Sequence, residues 1–476
     1  MKKGVTAMGE QPKSFVQRLG FPETIAMSIA LMAPTTGVAL NTPFLAQSAG
    51  YNVPLAFFIT TLAILAVGIA FIRLSKEYAH AGSVYGLTRT VLGDRAGLVS
   101  GWALLLTYVG FIAALLAGFG QFAQLFLQSV AGVHIRWPIY AFVAGGVIWW
   151  MAHNDIRLSA KLMLSFEVVS VVVSFVASIL ILLHSGVSAV TASRPFIIGP
   201  NGITGLSSAL VFGVLTFIGF EGAVILGEEA KQPSKSVPRS VLWSLLLAGV
   251  FFTFVSYAQT IGFGEQPAQV QQFATSAAPM NQLAVRYVGS WMAMALDGGA
   301  TISTFACALA SLNGASHIIF ALARDGFLPP HLGRLDARTQ SPRSAVLVAT
   351  VGGLGLLAVS IPYLASAANV YGALGALATF GVLIAYAMVN VTSLARYANS
   401  DYRAKRYHYF AAPVIGLALL VYTFYANVFP IPPAPIKYFP YVLIIYLAIA
   451  TIGSLIFRQR SQRVYPVMQS ERGDGV

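Results

Sequence analysis

The chain has 476 residues, of which 57% are hydrophobic and only 9% carry a charge. Soluble domains draw about a quarter of their residues from Asp, Glu, Lys and Arg, so this chain has too few charged side chains to cover a water-facing surface. Its single cysteine, Cys307, excludes an intrachain disulfide. Phosphate loops, zinc-ligand spacings and nucleophile elbows are absent from the sequence. The composition predicts an integral membrane protein that is not an enzyme and needs no cofactor or metal.

Long apolar stretches recur along the chain at lengths near the roughly 20 residues that a helix needs to cross a bilayer. They lack the alternation of apolar and polar residues that is typical of a membrane β-barrel, so we expect an all-α membrane protein. The stretches predict twelve transmembrane helices, at residues 23–48, 53–75, 96–127, 137–153, 158–184, 203–227, 237–262, 287–322, 344–362, 370–395, 408–427 and 438–457.

The formal net charge of +13 would suit a nucleic-acid partner, so the placement of the basic residues decides its meaning. With twelve spans, 25 of the 29 Lys and Arg residues fall on the side that carries both chain ends. Only Arg136, Arg194, Arg286 and Lys437 fall on the opposite side. This asymmetry follows the positive-inside rule. We therefore expect a multi-pass protein of the cell membrane, with cytoplasmic N- and C-termini, lipid around it and no nucleic-acid partner.

Two predicted spans are interrupted near mid-membrane. The first contains Ala33-Pro34-Thr35-Thr36-Gly37, where the proline removes a helix hydrogen bond and the glycine tolerates unusual dihedral angles. The sixth contains Thr216-Phe217-Ile218-Gly219-Phe220-Glu221, which places a glycine and a carboxylate at mid-depth. One alternative is a pair of ordinary kinks, which membrane helices tolerate. Interruptions at matching positions five spans apart instead favour an inverted repeat with a central binding site.

The motifs around these interruptions resemble the amino acid–polyamine–organocation transporter superfamily. In chain order they are Ala81-Gly82-Ser83-Val84-Tyr85, Gly101-Trp102, Phe217-Ile218-Gly219-Phe220-Glu221, Gly227-Glu228-Glu229-Ala230-Lys231, Val237-Pro238-Arg239 and Ala323-Arg324-Asp325-Gly326-Phe327-Leu328-Pro329. The resemblance covers roughly residues 22–345. One departure lies in helix one, where Pro34-Thr35-Thr36-Gly37 replaces the family's Gly-x-Gly break.

The resemblance implies a leucine-transporter-like fold, a 5+5 inverted repeat plus two C-terminal helices. The expected segments are a cytoplasmic N-terminal tail at 1–22, an inverted-repeat transport core at 23–396 with repeats at 23–184 and 203–396, two extra transmembrane helices at 397–457 and a cytoplasmic tail at 458–476. It also implies a secondary active transporter of amino acids that works by alternating access, coupled to protons or to exchange. A polyamine or organic amine carrier of the same fold is one alternative, and a channel or a non-transporting sensor is another.

The two interruptions offer the groups that an amino acid zwitterion needs. The first turn after the break in helix one presents backbone N–H groups and a positive dipole end to a carboxylate. The end of the first half of helix six presents carbonyl oxygens to an ammonium group. The candidate substrate contacts in these two segments are Thr35, Thr36, Gly37, Val38, Thr216, Phe217 and Ile218.

Three more candidate substrate contacts come from the resemblance. Thr107 and Phe111 on helix three match positions that touch substrate in related exchangers, and a phenylalanine at the second position favours an apolar or aromatic wall. Phe220, together with Phe217, matches the aromatic lid that family members close over substrate. Core packing is the alternative for these phenylalanines, because the chain has 31 of them.

Three acidic residues, Glu167, Glu221 and Asp297, lie inside predicted spans. Charges at mid-membrane are costly, so each one is a functional hypothesis. The resemblance implies a proton-sensitive role for Glu221, whose alternative is a structural acceptor for N–H groups freed by the break. Glu167 replaces a lysine of several relatives and is a candidate proton carrier, with a satisfied buried acid or a cation ligand as alternatives. Asp297 either binds a cationic group of the substrate or pairs with Arg286.

Hydroxyl groups on helix eight leave sodium as a second candidate coupling ion. Ser303 and Thr304 are weak sodium ligands in this interpretation, since serine and threonine are also common contacts between membrane helices. In the loop after helix six, Glu228 and Glu229 with Lys231 and Arg239 predict an ion-pair network on the cytoplasmic side.

Overall fold

The structure, a computed structural model, describes residues 19–78, 83–154, 156–186, 188–336, 339, 341–398 and 408–464. Parts of several expected segments lie outside the described residues: the N-terminal tail up to residue 18, the motif residues Ala81 and Gly82, residues 399–407 before the last two helices, and the C-terminal tail from residue 465. The described part is helical, with one isolated parallel bridge between Leu19 and Ala230.

The helices follow the order that the apolar stretches predict. The first half of the chain forms α1 (Phe21–Met32), α2 (Pro34–Leu40), α3 (Thr42–Ala49), α4 (Val53–Glu77), α5 (Val84–Leu92), α6 (Asp94–Ala131), α7 (Trp137–Asn154), α8 (Ile156–His184) and α9 (Ala189–Ser193). The second half forms α10 (Gly202–Thr216), α11 (Gly222–Ile225), α12 (Pro233–Phe263), α13 (Pro267–Thr275), α14 (Pro279–Tyr287), α15 (Ser290–Arg324), α16 (Arg343–Ser360), α17 (Ala367–Ala398), α18 (His408–Val428) and α19 (Phe439–Val464).

Ten helical stretches of the described residues are long and apolar enough to cross a membrane. The predicted class, an all-helical multi-pass membrane protein, is confirmed at this level. Two of the twelve predicted spans fall outside the ten. α10 has only 15 residues because helix six is broken after Thr216, and α7 carries polar and aromatic residues at both ends.

α6 and α15 form the centre of the bundle. In their most apolar stretches 83% and 94% of the residues are buried, whereas the corresponding value is 11% for α19. α6 packs against α15 and α17, and α4 packs against α12. The peripheral position of α19 explains why its exposed residues are apolar, because they face the lipid.

Short helices lie at one end of the bundle, between the long ones. α13 and α14 each begin with a proline, whose missing N–H costs nothing at a helix start. The sequence interpretation missed both, since neither is long or strongly apolar. We call the end that carries α9, α13 and α14 the loop face, and the opposite end, which carries Leu19 and α5, the N-terminal face.

Candidate functional site

The break in helix one lies where the sequence predicts it. α1 ends at Met32, and Ala33 adopts a left-handed conformation with φ 44° and ψ 66°. Ala33 is the one non-glycine residue with positive φ in the described part of the chain, a conformation that costs of order 1–3 kcal/mol. Pro34 then starts α2 without an N–H to satisfy. The left-handed residue and the proline thus divide helix one into two short helices.

The unpaired N–H groups of α2 belong to its first turn. Gly37 donates its N–H to the Ala33 carbonyl at 2.8 Å, so the expectation of a free N–H at Gly37 is wrong. Proline has no N–H, which leaves Thr35 and Thr36 as the residues whose N–H groups lack a partner within the helix. An anion bound at this end of α2 would therefore meet the N–H groups of Thr35 and Thr36.

The break in helix six is also present. α10 ends at Thr216, residues 217–221 form turns, and α11 begins at Gly222. Gly219 has φ +112°, and a Cβ there would lie 2.5 Å from the Leu31 carbonyl carbon. Only glycine fits both that dihedral angle and that close approach to helix one.

Two polar residues that the sequence interpretation missed join the broken helices. Ser28 of α1 donates to the Phe220 carbonyl at 2.7 Å and accepts from the Ala223 N–H at 2.9 Å. Asn41, between α2 and α3, donates to Thr216 Oγ1 at 3.1 Å. Ser28 satisfies backbone groups that a continuous helix would have paired itself, which is the requirement for irregular backbone inside a membrane, while Asn41 holds the Thr216 side chain.

A small cavity of about 30 Å³ lies between the two breaks. Five predicted contacts line it: Thr36, Gly37, Phe111, Thr216 and Ile218. The other lining residues are Leu31, Met32, Ala33, Asn41, Leu115, Leu215, Cys307 and Tyr371. None of them carries a charge. The volume is enough for about one or two waters, so this central cavity has to widen before it can take a substrate.

A second cavity of about 20 Å³ lies on the other side of α2. It contains three more predicted contacts, Thr35, Val38 and Asp297, together with Ser174 and Asn281. The predicted substrate contacts on α2 therefore divide between two cavities. We call this one the Asp297 cavity.

Three predicted contacts line neither cavity. Thr107 donates its hydroxyl to the carbonyls of Ala103 and Ala378, both at 3.0 Å. Phe217 and Phe220 are fully buried, and the Phe220 ring packs edge-on against Phe71 at 5.0 Å. In this conformation Phe220 is a packing residue, and its role as a lid stays a prediction.

Glu221 is fully buried and braces the break in helix six. Its Oε1 accepts from the Tyr108 hydroxyl at 2.6 Å, and its Oε2 accepts from the Gly219 N–H at 3.0 Å. The Tyr386 hydroxyl donates to Oε2 as well. Three donors satisfy this carboxylate, one of them a backbone N–H freed by the break. The geometry favours the structural alternative for Glu221.

Glu167 is also fully buried but far less well satisfied. Ser303 donates to its Oε1 at 3.2 Å, and the Thr35 backbone N–H faces the carboxylate. Its Oε2 has no hydrogen-bond partner, and among the described residues it forms no ion pair. An ionised carboxylate in such surroundings is costly. Of the two fully buried acids, Glu167 is thus the one whose ionised form the surroundings stabilise less.

The two sodium candidates on α15 behave differently. Ser303 lies between Glu167 and Thr36, whose hydroxyl donates to Ser303 Oγ at 3.2 Å. Thr304 turns its hydroxyl back to the carbonyls of Ala300 and Thr301, at 2.8 and 2.9 Å. Only Ser303 therefore points toward the buried acid.

The expected pair of Asp297 and Arg286 does not form. Asp297 Oδ2 accepts from Asn281 Nδ2 at 2.8 Å. Arg286 instead donates to the Gly262 carbonyl at 3.4 Å and to Gln272 at 3.2 Å. The pairing expectation was wrong because α14 presents Asn281, not Arg286, to α15.

A larger vestibule of about 790 Å³ opens toward the loop face. Its walls come mainly from α10, α17, α18 and the segment that leads to α19. It shares Asn41, Phe111, Leu215 and Tyr371 with the central cavity. These four residues line both spaces, so the vestibule and the central cavity come nearest to each other beside them.

The N-terminal face is closed by ion pairs and backbone bonds. Arg324 forms two hydrogen bonds to Glu228, at 2.7 and 2.9 Å. The Leu19 N–H donates to the Glu229 carbonyl, and the Lys231 N–H donates to the Leu19 carbonyl, both at 2.9 Å. The predicted network around Glu228 is present, but its cation comes from α15 instead of the Lys231 and Arg239 side chains.

A second cluster on the N-terminal face joins α5, α6, α15 and α19. Arg89 contacts both Asp94 and Asp325, and Arg458 contacts Asp94. The Tyr85 hydroxyl donates to Asp325 at 2.7 Å. Burial, followed by the charge of Asp325, raises the pKa of Tyr85, so its hydroxyl remains a donor at neutral pH. The conformation is therefore closed at the N-terminal face, and the larger vestibule lies toward the loop face.

Comparison with known proteins agrees with this geometry. Residues 19–450 match a family model described as amino acid permease. The branched-chain amino acid permease BcaP of Bacillus subtilis (strain 168) is 26% identical over 397 residues, which cover 79% of this chain and 81% of the relative. BcaP of Lactococcus lactis subsp. cremoris (strain MG1363) is 28% identical over 346 residues, 68% of this chain and 72% of that one. The low-affinity putrescine importer PlaP of Escherichia coli (strain K12) is 24% identical over 391 residues, 79% and 81% of the two chains.

Proposed function

The chain belongs to the amino acid permease family, and we propose that it carries a neutral amino acid with an apolar side chain across the cell membrane by alternating access. The observation that supports this most is the central cavity between two broken helices. Its polar groups are backbone groups, hydroxyls, the Asn41 amide and the Cys307 thiol, its remaining walls are apolar, and none of its lining residues is charged.

The polar ends of the substrate would use the two breaks. The α-carboxylate would bind at the first turn of α2, where Thr36 faces the central cavity and the helix dipole favours an anion. The ammonium group would bind carbonyl oxygens at the end of α10, near Thr216 and Ile218. This arrangement needs no charged side chain, because the two charges of the zwitterion meet opposite ends of helix dipoles.

The side chain of the substrate would extend between apolar walls. Phe111, Leu115, Leu215 and Ile218 line the central cavity. A charged side chain would meet no counter-ion there, and burying it unpaired costs far more than the apolar contacts return. The BcaP relatives, named as branched-chain amino acid permeases, agree with this substrate class.

An organic amine is the second candidate substrate. Asp297 is an acid that lines a cavity beside α2, and one relative is named as a putrescine importer. The Asp297 carboxylate lines a different cavity from Thr216 and Ile218, however. The central cavity therefore favours the amino acid.

A stability screen of the detergent-purified protein distinguishes the two classes. Ligands that bind only the native state raise the midpoint of thermal unfolding. We expect leucine, isoleucine or phenylalanine to raise it, and lysine and putrescine to leave it unchanged. A shift with putrescine and with no amino acid would replace the first candidate by the second.

We propose that protons drive net transport through Glu167. Its buried carboxylate, with Oε2 unpartnered, lies one hydroxyl away from the substrate-binding turn of α2. Protonation would accompany substrate binding, and release would follow when the N-terminal face opens. Glu221, with three donors, would remain a brace.

The full topology is part of the proposal. The ten apolar stretches, with α7 and the broken pair α10 and α11, add up to the twelve spans of a 5+5 inverted repeat (23–184 and 203–396) with two extra helices at 397–457. The charge asymmetry supports a cytoplasmic N-terminal face, with the tails 1–22 and 458–476 on that side.

Labelling of single introduced cysteines tests that orientation. In a Cys307→Ser background, Ala277→Cys on the loop face should react with a membrane-impermeant thiol reagent added to whole cells. Thr90→Cys, which is exposed on the N-terminal face, should react only after the cells are opened. The reverse pattern would invert the proposed orientation.

A further inference from the structure

We propose that Asp297 and its cavity form the entry port through which a proton from the loop face reaches Glu167. This inference rests on the proposed coupling role of Glu167 and extends it to a second acid. Asp297 does not line the central cavity, so the proposed substrate site gives it no role.

Asp297 lies at the start of the route. It is 7% exposed, on the part of α15 that runs toward the loop face. Its Oδ2 is held by Asn281 of α14 at 2.8 Å, and the carboxylate lines the Asp297 cavity. It has no ion-pair partner in the part of the chain that the structure describes. Ser174 of α8 and Thr35 of α2 face the same cavity, and Arg286 is bonded elsewhere, to Gly262 and Gln272.

The cavity provides the middle of the route. Its volume of about 20 Å³ is enough for one water. Apolar carbon atoms form most of its wall, and the polar side chains among its lining residues are those of Thr35, Ser174, Asn281 and Asp297. Thr35 forms its wall toward Glu167. A water in this cavity would accept a proton from the Asp297 carboxyl and donate one to the Thr35 hydroxyl.

Hydroxyl groups complete the route to Glu167. Thr35 Oγ1 donates to Ser170 Oγ at 3.1 Å, and Ser170 Oγ donates to the Glu167 carbonyl at 3.0 Å. Rotation of the Ser170 hydroxyl from that carbonyl to the carboxylate of the same residue would close the chain. The groups that face Glu167 are Ser303 and the Cys307 thiol from α15 and the Thr35 N–H from α2.

The transfer balances without any other reactant. The O–H bond of the protonated Asp297 carboxyl breaks, one proton moves along the water and the two hydroxyls, and an O–H bond forms at Oε2 of Glu167. Asp297 is left as a carboxylate and takes its next proton from water at the loop face. The close packing of α15 on α8 keeps the route short, since a Cβ at Gly299 would lie 3.5 Å from the Ser170 Cα.

Asp297→Asn tests the port because the amide oxygen still accepts from Asn281 while the side chain no longer carries a proton. Wild type, Asp297→Asn and Glu167→Gln would be reconstituted in proteoliposomes, with the membrane voltage clamped. Proton-driven net uptake and substrate exchange at symmetrical pH would both be measured, with substrate binding followed by thermal shift.

We expect the rate of net uptake by Asp297→Asn to be at least about tenfold lower than that of wild type, because the variant lacks a group that transfers protons. Exchange and substrate affinity should stay within about twofold of wild type, a difference of under 0.5 kcal/mol. If Asp297→Asn takes up substrate like wild type while Glu167→Gln does not, the proposed port is wrong and the coupling role of Glu167 stands. If Asp297→Asn binds substrate more weakly than wild type, the port is also wrong, and Asp297 contacts the substrate instead. If wild-type uptake ignores the pH gradient, the proposed coupling itself fails.

Ser174→Val is a second variant that tests the port if Asp297→Asn does not fold. It fills the Asp297 cavity without removing either acid, so it should lower net uptake and spare exchange. Ser178→Val is the matched control, one turn along the same helix and buried but outside the cavity lining, and it should transport like wild type. If both valine variants take up substrate at the same rate, whether like wild type or equally impaired, the result would contradict the port.

Discussion

Ser303 on α15 donates a hydrogen bond to the carboxylate of Glu167 on α8, with 3.2 Å between Oγ and Oε1. Ser303 also accepts from the Thr36 hydroxyl at 3.2 Å, so one serine joins the buried acid to the first turn of α2. That turn is where the substrate carboxylate is proposed to bind. The arrangement gives a physical basis for coupling, since a change at either end alters the hydrogen bonds available to the other.

Ser303→Ala should weaken coupling more than binding. Loss of a hydrogen bond costs roughly 0.5–1.5 kcal/mol, so we expect net uptake to fall about two- to tenfold with exchange retained. Thr304→Val is the matched control, because the Thr304 hydroxyl bonds only to its own helix. Initial rates of uptake and exchange in proteoliposomes check this. Sodium-dependent uptake that both variants abolish would point to a sodium site instead.

Glu167→Gln should abolish accumulation while sparing exchange. The amide keeps the shape and still accepts from Ser303, but it cannot take up and release a proton. We expect the ratio of inside to outside substrate to fall to one under an imposed pH gradient. Glu221→Gln is the comparison, and it should lower thermal stability without removing the response to pH. Retained accumulation in Glu167→Gln would rule out this carboxylate as the proton carrier.

Gly37→Ala should impair transport because helices one and six touch at this residue. An added Cβ would lie 2.6 Å from Thr216 Cγ2, closer than packed atoms tolerate, so the two breaks would be pushed apart. We expect substrate affinity to fall at least tenfold, about 1.4 kcal/mol, by thermal shift or uptake. Gly146→Ala on α7, which meets nothing within 4 Å, should behave like wild type. If both variants bind substrate with the same affinity, the substrate does not bind between the two breaks.

Cys307 gives a direct probe of the central cavity, since it is the single cysteine of the chain. Its thiol donates to the Leu31 carbonyl at 3.1 Å, and the side chain lines the cavity. A small methanethiosulfonate should inactivate the wild type, and saturating substrate should slow the reaction. Cys307→Ser should resist the reagent. Inactivation at the same rate with and without substrate would argue against binding beside Cys307.

Tyr386→Phe should destabilise the fold. Its hydroxyl donates to Glu221 Oε2 and accepts from the Gly219 N–H at 3.2 Å, so its loss weakens the brace of helix six. We expect a loss of about 1.5–3 kcal/mol, the range for hydrogen bonds to charged groups, read as a lower midpoint of thermal unfolding. Tyr363→Phe, at an exposed tyrosine, is the control. A stable Tyr386→Phe with altered pH dependence would favour the proton-sensitive role of Glu221.

Much of the architecture could be predicted from the sequence because it depends on local features. Runs of apolar residues predict the positions of the long helices, and Pro34 and Gly219 predict the positions of the two breaks. The broken pair at α10 and α11 is also why helix six does not register as one long span. These features need no knowledge of distant partners.

The partners of the site residues could not be predicted in the same way. Ser28 satisfies a backbone carbonyl of helix six across 192 residues of sequence, and Asn41 bonds to the Thr216 side chain across 175 residues. Asp297 meets Asn281 instead of Arg286 because these two residues of α14, five positions apart, lie on different sides of that helix. Thr107 matches a substrate position by resemblance, yet it bonds to α17. Such contacts depend on helix rotation, which composition does not determine.

The most direct test of the central claim is uptake of labelled leucine by wild-type protein in proteoliposomes, at clamped voltage, with and without an inward proton gradient. Labelled putrescine would be measured in parallel. The account predicts that leucine accumulates above its external concentration only with the gradient, and that putrescine does not accumulate. Leucine uptake that ignores the gradient, or accumulation of putrescine alone, would contradict it.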